Sequence, residues 1–388
     1  MNRKIWKALG IVVCMLALAA PHAMAETITH MVTADTDFAK VVKNINASGV
    51  DDENVIELCA DITLTGNHTL KRSTTIKSKD EDRKISMNGS NAGITVTGER
   101  TVLNLGAKGY EKKLTIEGDG DARIQAAFVT VSEGATANMY ENVTLQNRKS
   151  TGNACIVIMG SKSVFNMRGG VTENCSRAVI ADSGATFHMF DGEIKDCKVY
   201  GNGVILVNDN SKFIMEGGTI SECFVSDTGK GGGLFADQSI LTISGGTIKG
   251  NKAAYGGGVA LRDSTIQEIK NWKVVGNKAY KTNTGTGYIG GGIYLENGSM
   301  DVSDGSNQIY NNTADGHGAD ICLEGGASIK LPNAAKMGVN YHDSGIKIDN
   351  WYNDNPRYTP SENGAVVEAN KLLTGELSLV ASYKAIPT

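Results

Sequence analysis

The sequence has little proline, no excess of positive charge and no hydrophobic run long enough to cross a bilayer. Proline accounts for 5 of 388 residues, against 47 glycines. Disordered low-complexity chains are rich in both residues, so we expect these glycines to mark turns between ordered strands. The formal net charge is −4, whereas phosphate binding needs clustered lysine and arginine. The composition therefore argues against a nucleic-acid partner.

The longest apolar run lies near the N-terminus, from Ala8 to Ala20. It is too short to span a bilayer as a helix. Basic residues precede it and an Ala-Met-Ala site ends at residue 25, which is the pattern of a cleaved secretory signal peptide. We therefore expect residues 1–25 to be a signal peptide, and the protein to be secreted or displayed at the cell surface without spanning the membrane. Removing the three basic residues of this segment changes the formal net charge from −4 to −7.

What the chain does contain is a repeat. A unit reading GGGLFADQSILTISGGTIKGN begins at Gly231, and related units begin 25 residues later at Gly256 and a further 34 residues on at Gly290. A fourth, GHGADICLEGGASIKL, begins at Gly316. A repeat of this period is typical of solenoid proteins, in which each unit packs only against its neighbours.

Apolar anchor residues continue the same pattern towards the N-terminus. Each coil is expected to supply about three short strands joined by Gly, Asn or Asp turns, and stacked coils would pair in parallel ~4.8 Å apart. About ten coils would then form a rod of roughly 50 Å. The inward anchors are Met139, Met167, Met189, Met215, Ile243, Ile269, Val302 and Leu331.

One amphipathic helix is predicted before the coils. Its apolar residues at helical spacing are Phe38, Val41, Val42 and Ile45. Asp35 or Thr36 is expected to cap its N-terminus, and Ser48-Gly49 to end it. Such a helix suits a cap over the first coil, whose apolar end would otherwise face water.

The predicted domain organisation follows from these patterns. Residues 26–66 form the N-terminal cap helix and first strand, and residues 67–331 form the coils, most regular over 139–331. Residues 332–388, where the repeat fades, form a C-terminal cap or irregular final coils.

The repeat resembles a known family. An Ile-x-x-Asn sequence followed by Gly-Gly-[Gly/Ala]-[Ile/Val] is similar to the repeats of chlamydial polymorphic outer-membrane proteins and adhesin-like proteins. The resemblance covers about residues 139–331 and implies an all-β, right-handed single-stranded parallel β-helix of the pectin-lyase-like class, acting in adhesion. The chain departs from the family in having Ile or Val where Phe is usual. The matching residues are Ile248, Asn251, Gly257, Gly258, Val259, Val274, Asn277, Gly291, Gly292, Ile293, Ile309, Asn312, Gly318 and Ala319.

Cysteines and asparagines occupy one equivalent position in successive coils. The six residues are Cys175, Cys197, Cys223, Asn251, Asn277 and Asn312. We expect them to form a structural ladder in which the asparagines bond amide to amide along the axis. Neighbouring cysteines would lie within disulfide range, so buried thiols, one disulfide and a metal site all stay open, in that order of preference. No metal or other cofactor is predicted.

Two features bear on catalysis. The Gly316-His317-Gly318 sequence resembles a motif of β-helical polygalacturonases, but its glycines are expected to be those of the turn triad. Along the outward row of the anchored strands only Glu268 and Asp301 are adjacent acids, and we expect neither a third carboxylate nor a basic partner beside them. No hydrolase or lyase site can be assembled from that row, so no catalytic residue is predicted.

The strand after each glycine cluster is apolar on both faces. A half-exposed strand alternates apolar and polar residues, so this face is expected to be covered, either by a loop or tail of the chain or by a partner. The partner would be a glycan, a protein or a second copy. On this basis we predict an adhesin-like binding module, with a polysaccharide lyase or hydrolase and a structural stalk as alternatives. The predicted outer stripe is Val157, Ile205, Phe235, Ala260 and Tyr294.

Overall fold

A computed structural model describes residues 26–118, 126–149, 152–226, 228–281, 287–333, 335–336, 350–355, 367 and 372–382. The predicted signal peptide lies outside the described residues. The chain forms an all-β parallel solenoid of about 11 turns with 4% helix, which confirms the predicted β-helix. The right-handedness stays a prediction.

Three long sheets run along the solenoid, each receiving one strand from most coils. The first contains β1 Thr27–Val32, β2 Glu53–Leu58, β5 Thr74–Ser78, β8 Val102–Leu105, β11 Thr136–Met139, β14 Val164–Met167, β17 Thr186–Met189, β21 Lys212–Met215, β25 Ile240–Ile243 and β29 Thr265–Ile269. The second contains β3 Ile62–Leu64, β6 Arg83–Met87, β9 Leu114–Gly118, β12 Val143–Gln146, β15 Val171–Glu173, β18 Glu193–Lys195, β22 Thr219–Ser221, β26 Thr247–Lys249, β30 Lys273–Val275 and β34 Gln308–Tyr310. The third contains β4 Asn67–Leu70, β7 Gly93–Thr97, β10 Val129–Ser132, β13 Ile156–Met159, β16 Val179–Asp182, β20 Ile205–Val207, β24 Leu234–Asp237, β28 Val259–Arg262, β32 Ile293–Glu296, β36 Ile321–Glu324, β40 Leu377–Ser382 and β38 Asn350–Asn353.

Two smaller sheets complete the later coils. One contains β19 Lys198–Tyr200, β23 Phe224–Ser226, β27 Lys252–Ala253, β31 Lys278–Ala279 and β35 Thr313–Ala314. The other contains β33 Ser299–Asp301, β37 Ser328–Lys330 and β39 Leu372–Thr374. The predicted anchors stack as expected, because Met139, Met167, Met189 and Met215 pair in register along the first sheet.

The helix α1 runs Phe38–Ala47, and Ser48 ends it as predicted. Its N-cap is Asp37, whose side chain accepts a hydrogen bond from the backbone N–H of Lys40 at 3.2 Å. The expected cap at Asp35 or Thr36 is therefore wrong. The Thr36 hydroxyl is used by the preceding turn, where it accepts a backbone N–H at 2.9 Å.

Helix α1 packs on the first coils through its apolar face. The Phe38 ring meets the His68 ring edge-on with centroids 4.9 Å apart, and Asn46 Nδ2 donates to the Thr69 carbonyl at 2.8 Å. Strand β1, which sequence reasoning did not predict, precedes the helix and pairs in parallel with β2. Whether α1 acts as a cap stays a prediction.

Antiparallel strands lie at the C-terminal end. Strand β40 pairs with both β36 and β38, and β39 pairs with β37, all antiparallel. Trp351 and Leu379 bring their side chains into the main core. In the part of residues 332–388 that the structure describes, the strands thus extend existing sheets and add no parallel coil.

Candidate functional site: an outward cleft on the third sheet

The outward-facing row of the third sheet differs from the predicted outer stripe by one residue in one coil. Ile205 pairs with Val179 and Leu234, whose side chains face the core, and is itself fully buried. Its prediction as an outward residue is wrong, because a shift of one position along a strand moves a side chain to the opposite face. The outward row is Val157, Ile180, Leu206, Phe235, Ala260, Tyr294 and Cys322.

Most of the outward row is covered by the chain itself. Phe235 and Tyr294 are each only 2% exposed. Tyr255 and Ile289 belong to the segments just before the glycine triads, where they form parallel bridges and pack on this row. The Tyr255 and Tyr294 rings lie 5.3 Å apart, and Lys230 Nζ sits 5.0 Å above the Tyr294 ring. The cover is thus a set of loops, and the interpretation of Phe235, Tyr294 and the neighbouring Ala260 as a partner-binding face is wrong.

The N-terminal end of the row is covered in the same way. Val157 is buried in a small cluster with Ala127 and Ala154, against which Ile180 packs. Val157 therefore does not form part of an exposed stripe either.

Between these two covered parts lies an open cleft of about 400 Å³, which we call the outward cleft. Half-buried Leu206 forms its apolar floor, and Phe235 beside it is only 2% exposed. The volume lies in the range of small-ligand sites, and the lining is mainly polar. Its polar lining consists of Arg177, Asn202, Asn208, Asp209, Asp237 and Arg262.

The fourth position of each strand supplies much of this polar lining. Asp237 pairs with Arg262, which pairs with Glu296, which in turn pairs with Glu324 on successive coils. Parallel stacking therefore aligns these side chains in one row at the ~4.8 Å coil spacing. Sequence reasoning missed this row because it examined acids only on the anchored strands. The signal was present, since a polar residue stands two positions after each outward apolar residue from Ile180 to Cys322.

Two ion pairs hold the row in place. Arg262 donates through Nε to Asp237 Oδ1 at 2.9 Å and through Nη2 to the other oxygen, and its guanidinium lies 5.6 Å from the Phe235 ring centroid. These hydrogen bonds to Asp237 raise the pKa of Arg262. Lys230 forms an ion pair with Glu296. Each of the two carboxylates is therefore engaged by a cation.

Two other polar groups of the cleft are uncommitted. Asn208 is half-buried and Asp209 is exposed, and neither side chain makes a hydrogen bond or ion pair within the residues the structure describes. Two backbone carbonyls hold the Arg177 guanidinium in place: its Nε donates to Gly203 O at 3.0 Å and its Nη2 donates to Asn202 O at 2.8 Å. Burial lowers the pKa of Arg177. The cleft therefore offers two free polar side chains beside two fixed guanidinium groups.

The other acids weighed in the sequence have partners. Lys270 lies 2.6 Å from Glu268 and Lys330 lies 3.8 Å from Asp301, so the expectation of no basic partner is wrong. Asp304 shares their shallow cleft and is a third carboxylate, also against expectation. Lys270 and Asp304 lie two and three residues from an acid, near the end of its strand, so the outward row alone does not include them. Lys330 pairs in register with Asp301 on the next coil and is its direct outward neighbour.

His317 is part of the C-terminal packing. Its Nδ1 lies 2.6 Å from Ser378 Oγ, on β40, and Ser378 is 1% exposed. The backbone N–H groups of Gly318 and Ala319 both donate to Asp354 at 2.7 Å. These contacts attach the final strands to the last coil, and they give no catalytic arrangement to the GHG sequence.

The asparagine ladder is present as predicted. The Oδ1 atom of Asn277 accepts from both the N–H and the Nδ2 of Asn251 at 3.0 Å, and Asn312 Oδ1 accepts the same pair from Asn277 at 2.9 and 3.0 Å. At the cysteine end, Cys223 N–H donates to Asn251 Oδ1 at 2.9 Å. Each rung therefore satisfies the backbone of the rung before it.

Asp320 terminates this ladder. Ile293 pairs with Ile321, and the N–H groups of Gly290 and Gly291 donate to the carbonyls of His317 and Gly318. The residues equivalent to the glycine triad are therefore Gly318, Ala319 and Asp320, two positions later than the predicted alignment on GHG. Asp320 Oδ1 accepts from Asn312 N–H at 3.0 Å and from its Nδ2 at 2.8 Å, and Oδ2 accepts from Ala381 N–H at 2.8 Å. The last rung needs an acceptor, and a carboxylate at the third triad position provides it.

Asp320 should make stability depend on pH. Its burial raises its pKa to about 7, with hydrogen bonds from Asn312 and Ala381 opposing the shift. Because the folded state binds this proton more tightly than the unfolded state, its stabilisation is present at pH 4 and is lost as pH rises towards 7. The loss should be roughly 3 kcal/mol.

Chemical denaturation of wild type and of Asp320→Asn at pH 4, 5.5 and 7 gives the free energy of unfolding of each. The difference between the two proteins at each pH isolates the contribution of Asp320, because the other titrating groups contribute equally to both. Asp35→Asn, at an exposed position, is the matched control and should leave the pH profile unchanged. Parallel profiles of wild type and Asp320→Asn would contradict the assignment.

The described residues contain no group of three or more His, Cys, Asp or Glu side chains that could hold a metal ion. No helix in this part of the chain is long and apolar enough to cross a membrane. Comparison with protein-family models, curated proteins and solved structures finds no match. The resemblance to polymorphic outer-membrane protein repeats therefore stays a prediction.

Proposed function

We propose that the protein is an exported binding module, secreted or displayed at the cell surface, whose outward cleft binds an uncharged glycan. The observation that carries this proposal is the pairing of an apolar floor with the free polar side chains of Asn208 and Asp209. Amide and carboxylate groups provide the donors and acceptors that sugar hydroxyls require, and an apolar floor suits the C–H face of a sugar ring.

The charges of the cleft favour a neutral ligand. Two guanidinium groups, of Arg177 and Arg262, stand against two carboxylates, of Asp209 and Asp237, so the lining has no net charge. A polyanionic chain would meet the further acids Glu296 and Glu324 along the same row, and like charges in register repel it. The leader pattern of residues 1–25 supports export.

A glycan array combined with titration calorimetry tests the proposal. Asn208→Ala/Asp209→Asn removes one potential ligand contact and replaces a charged acceptor with a neutral amide, without breaking an internal hydrogen bond. Asparagine tolerates the positive φ of 48° at position 209. We expect wild type to bind a neutral glycan and the double variant to bind it at least about tenfold more weakly.

The matched control is Asn88→Ala/Asp35→Asn, the same two substitutions at exposed positions outside the cleft. It should bind like wild type. A reducing-end assay and an assay for unsaturated products on the glycans that bind, and on polygalacturonate, cover the lyase and hydrolase alternative. Turnover, or equal binding by both double variants, would contradict the proposal.

A further inference from the structure

Four buried thiols follow one another inside the solenoid. Cys175, Cys197 and Cys223 stand in the predicted ladder, each with its Sγ 3.2–3.3 Å from the backbone carbonyl two residues earlier. Cys155, which the repeat analysis did not assign, comes from the turn before β13 and adds a fourth. It lacks such a carbonyl contact, and its thiol faces Cys175.

The sulfur atoms of Cys155 and Cys175 are unusually close. Their Sγ atoms lie 2.6 Å apart. That is shorter than the ~2.7–3.2 Å of an N–H···O hydrogen bond, although sulfur is the larger atom, and it exceeds a covalent S–S bond by only about 0.5 Å. Cys155 precedes β13 and Cys175 precedes β16, two strands that pair in parallel, and both side chains are buried.

A buried guanidinium lies beside this pair. Arg148 is 1% exposed, and its Nε and Nη1 have no hydrogen-bond partner. Burial acts to raise the pKa of Cys175, but hydrogen bonds from Cys155 and Cys197 and the charge of Arg148 bring that pKa well below its ordinary value. The thiolate is the attacking species in thiol–disulfide exchange, and because Cys175 is 1% exposed, the exchange has to take place during folding, before the coils close over it.

We propose that Cys155 and Cys175 form a disulfide that joins two adjacent coils, while Cys197 and Cys223 stay as thiols. The oxidant is a donor disulfide, either of an oxidising protein or of a small thiol. The Cys175 thiolate attacks one donor sulfur and releases a donor thiolate. Cys155 then loses its proton and attacks the Cys175 sulfur of the mixed disulfide, releasing the second donor thiolate. Two electrons pass from the protein to the donor. The Cys175 proton is lost to solvent before the attack and the Cys155 proton during it, and protons from solvent convert the two donor thiolates to thiols.

Refolding in a redox buffer tests the pairing. The reduced, unfolded full chain is refolded with oxidised and reduced glutathione, alkylated under denaturing conditions and mapped by peptide mass spectrometry without reduction. We expect a linked Cys155–Cys175 peptide, with alkylation at Cys14, Cys59, Cys197, Cys223 and Cys322. Alkylation of all seven cysteines, or a disulfide on another pair, would overturn the proposal.

Thermal unfolding gives a second measurement. Reduction should lower the Tm of wild type and of Cys197→Ser/Cys223→Ser by several degrees, and should leave Cys155→Ser/Cys175→Ser unchanged. If that last variant fails to refold, Cys155→Ala alone serves, because it should contain no disulfide and should show no Tm change on reduction. An equal Tm loss in the variants lacking Cys155 would contradict the assignment.

Discussion

Phe187→Ala should lower the free energy of unfolding by about 3–5 kcal/mol. Phe187 is fully buried and lies between the rings of Phe165 and Phe213, with centroids 6.3 and 5.7 Å away. All three rings occupy one position in adjacent parallel coils. The backbone hydrogen bonds between the parallel strands hold those coils at a fixed spacing. Neighbouring residues therefore cannot move in to fill the cavity, and the full loss of stability is retained. Guanidinium denaturation followed by far-UV circular dichroism measures the change.

Tyr200→Ala is the control, because Tyr200 is 67% exposed. It should change the free energy of unfolding by no more than about 0.5 kcal/mol. A Phe187→Ala loss as small as that of the control would show that the aromatic stack does not support the core.

Asn277→Ala should cost about 3–5 kcal/mol, since it removes the middle rung of the asparagine ladder. The side chain accepts two bonds from Asn251 and donates from Nδ2 to Ile248 O at 3.0 Å and to Asn312 Oδ1 at 3.0 Å. Alanine would leave the Asn251 N–H buried without its partner, which costs about 1–3 kcal/mol, and would remove three further hydrogen bonds, each worth about 0.5–1.5 kcal/mol.

Two further variants separate the ladder from a general packing effect. Asn277→Cys introduces the residue found at this position in earlier coils, and it should recover part of the loss because its thiol can bond the Val275 carbonyl. Asn88→Ala, at an exposed position, should change stability by no more than about 0.5 kcal/mol. Equal free energies of unfolding for Asn277→Ala and Asn88→Ala would show that the asparagine ladder does not stabilise the fold.

The fold could be predicted because its determinants recur in the sequence. Each coil repeats a glycine turn, an inward anchor and a ladder position. The anchors Met167, Met189 and Met215 could therefore be predicted from their spacing alone. The ladder at Asn251 and Asn277 followed from the same register. Periodicity of this kind predicts the buried residues of a solenoid, because stacking requires equivalent residues only at the positions where neighbouring coils pack.

The outside could not be predicted to the same depth. Ile205 was assigned to the wrong face because its strand, in the run GVILV, is apolar at every position and offers no alternation from which to read the register. A covering loop was one of the predicted alternatives for this face, but Tyr255 and Ile289 could not be identified as the residues that form it. The end of the ladder at Asp320 was hidden because GHG looks like the glycine triad that actually begins at Gly318.

The outward cleft was invisible for a different reason. Its residues come from separate coils and share no motif, and only the stacking brings Asn208, Asp237 and Arg262 together. The sequence shows that these polar residues stand two positions after an outward apolar residue. It does not show that they line a cleft, because that depends on which part of the outward row the loops leave uncovered.

Hydrogen–deuterium exchange, measured with and without a saturating concentration of a glycan that binds on the array, tests directly whether the ligand occupies the outward cleft. We predict slower exchange in peptides that contain residues 202–209, 234–237 and 259–262, which line the outward cleft. We predict no change in peptides that contain residues 75–77 or 104–108, which line a second groove on the first sheet. Protection at that second groove, with the outward cleft unchanged, would contradict the account.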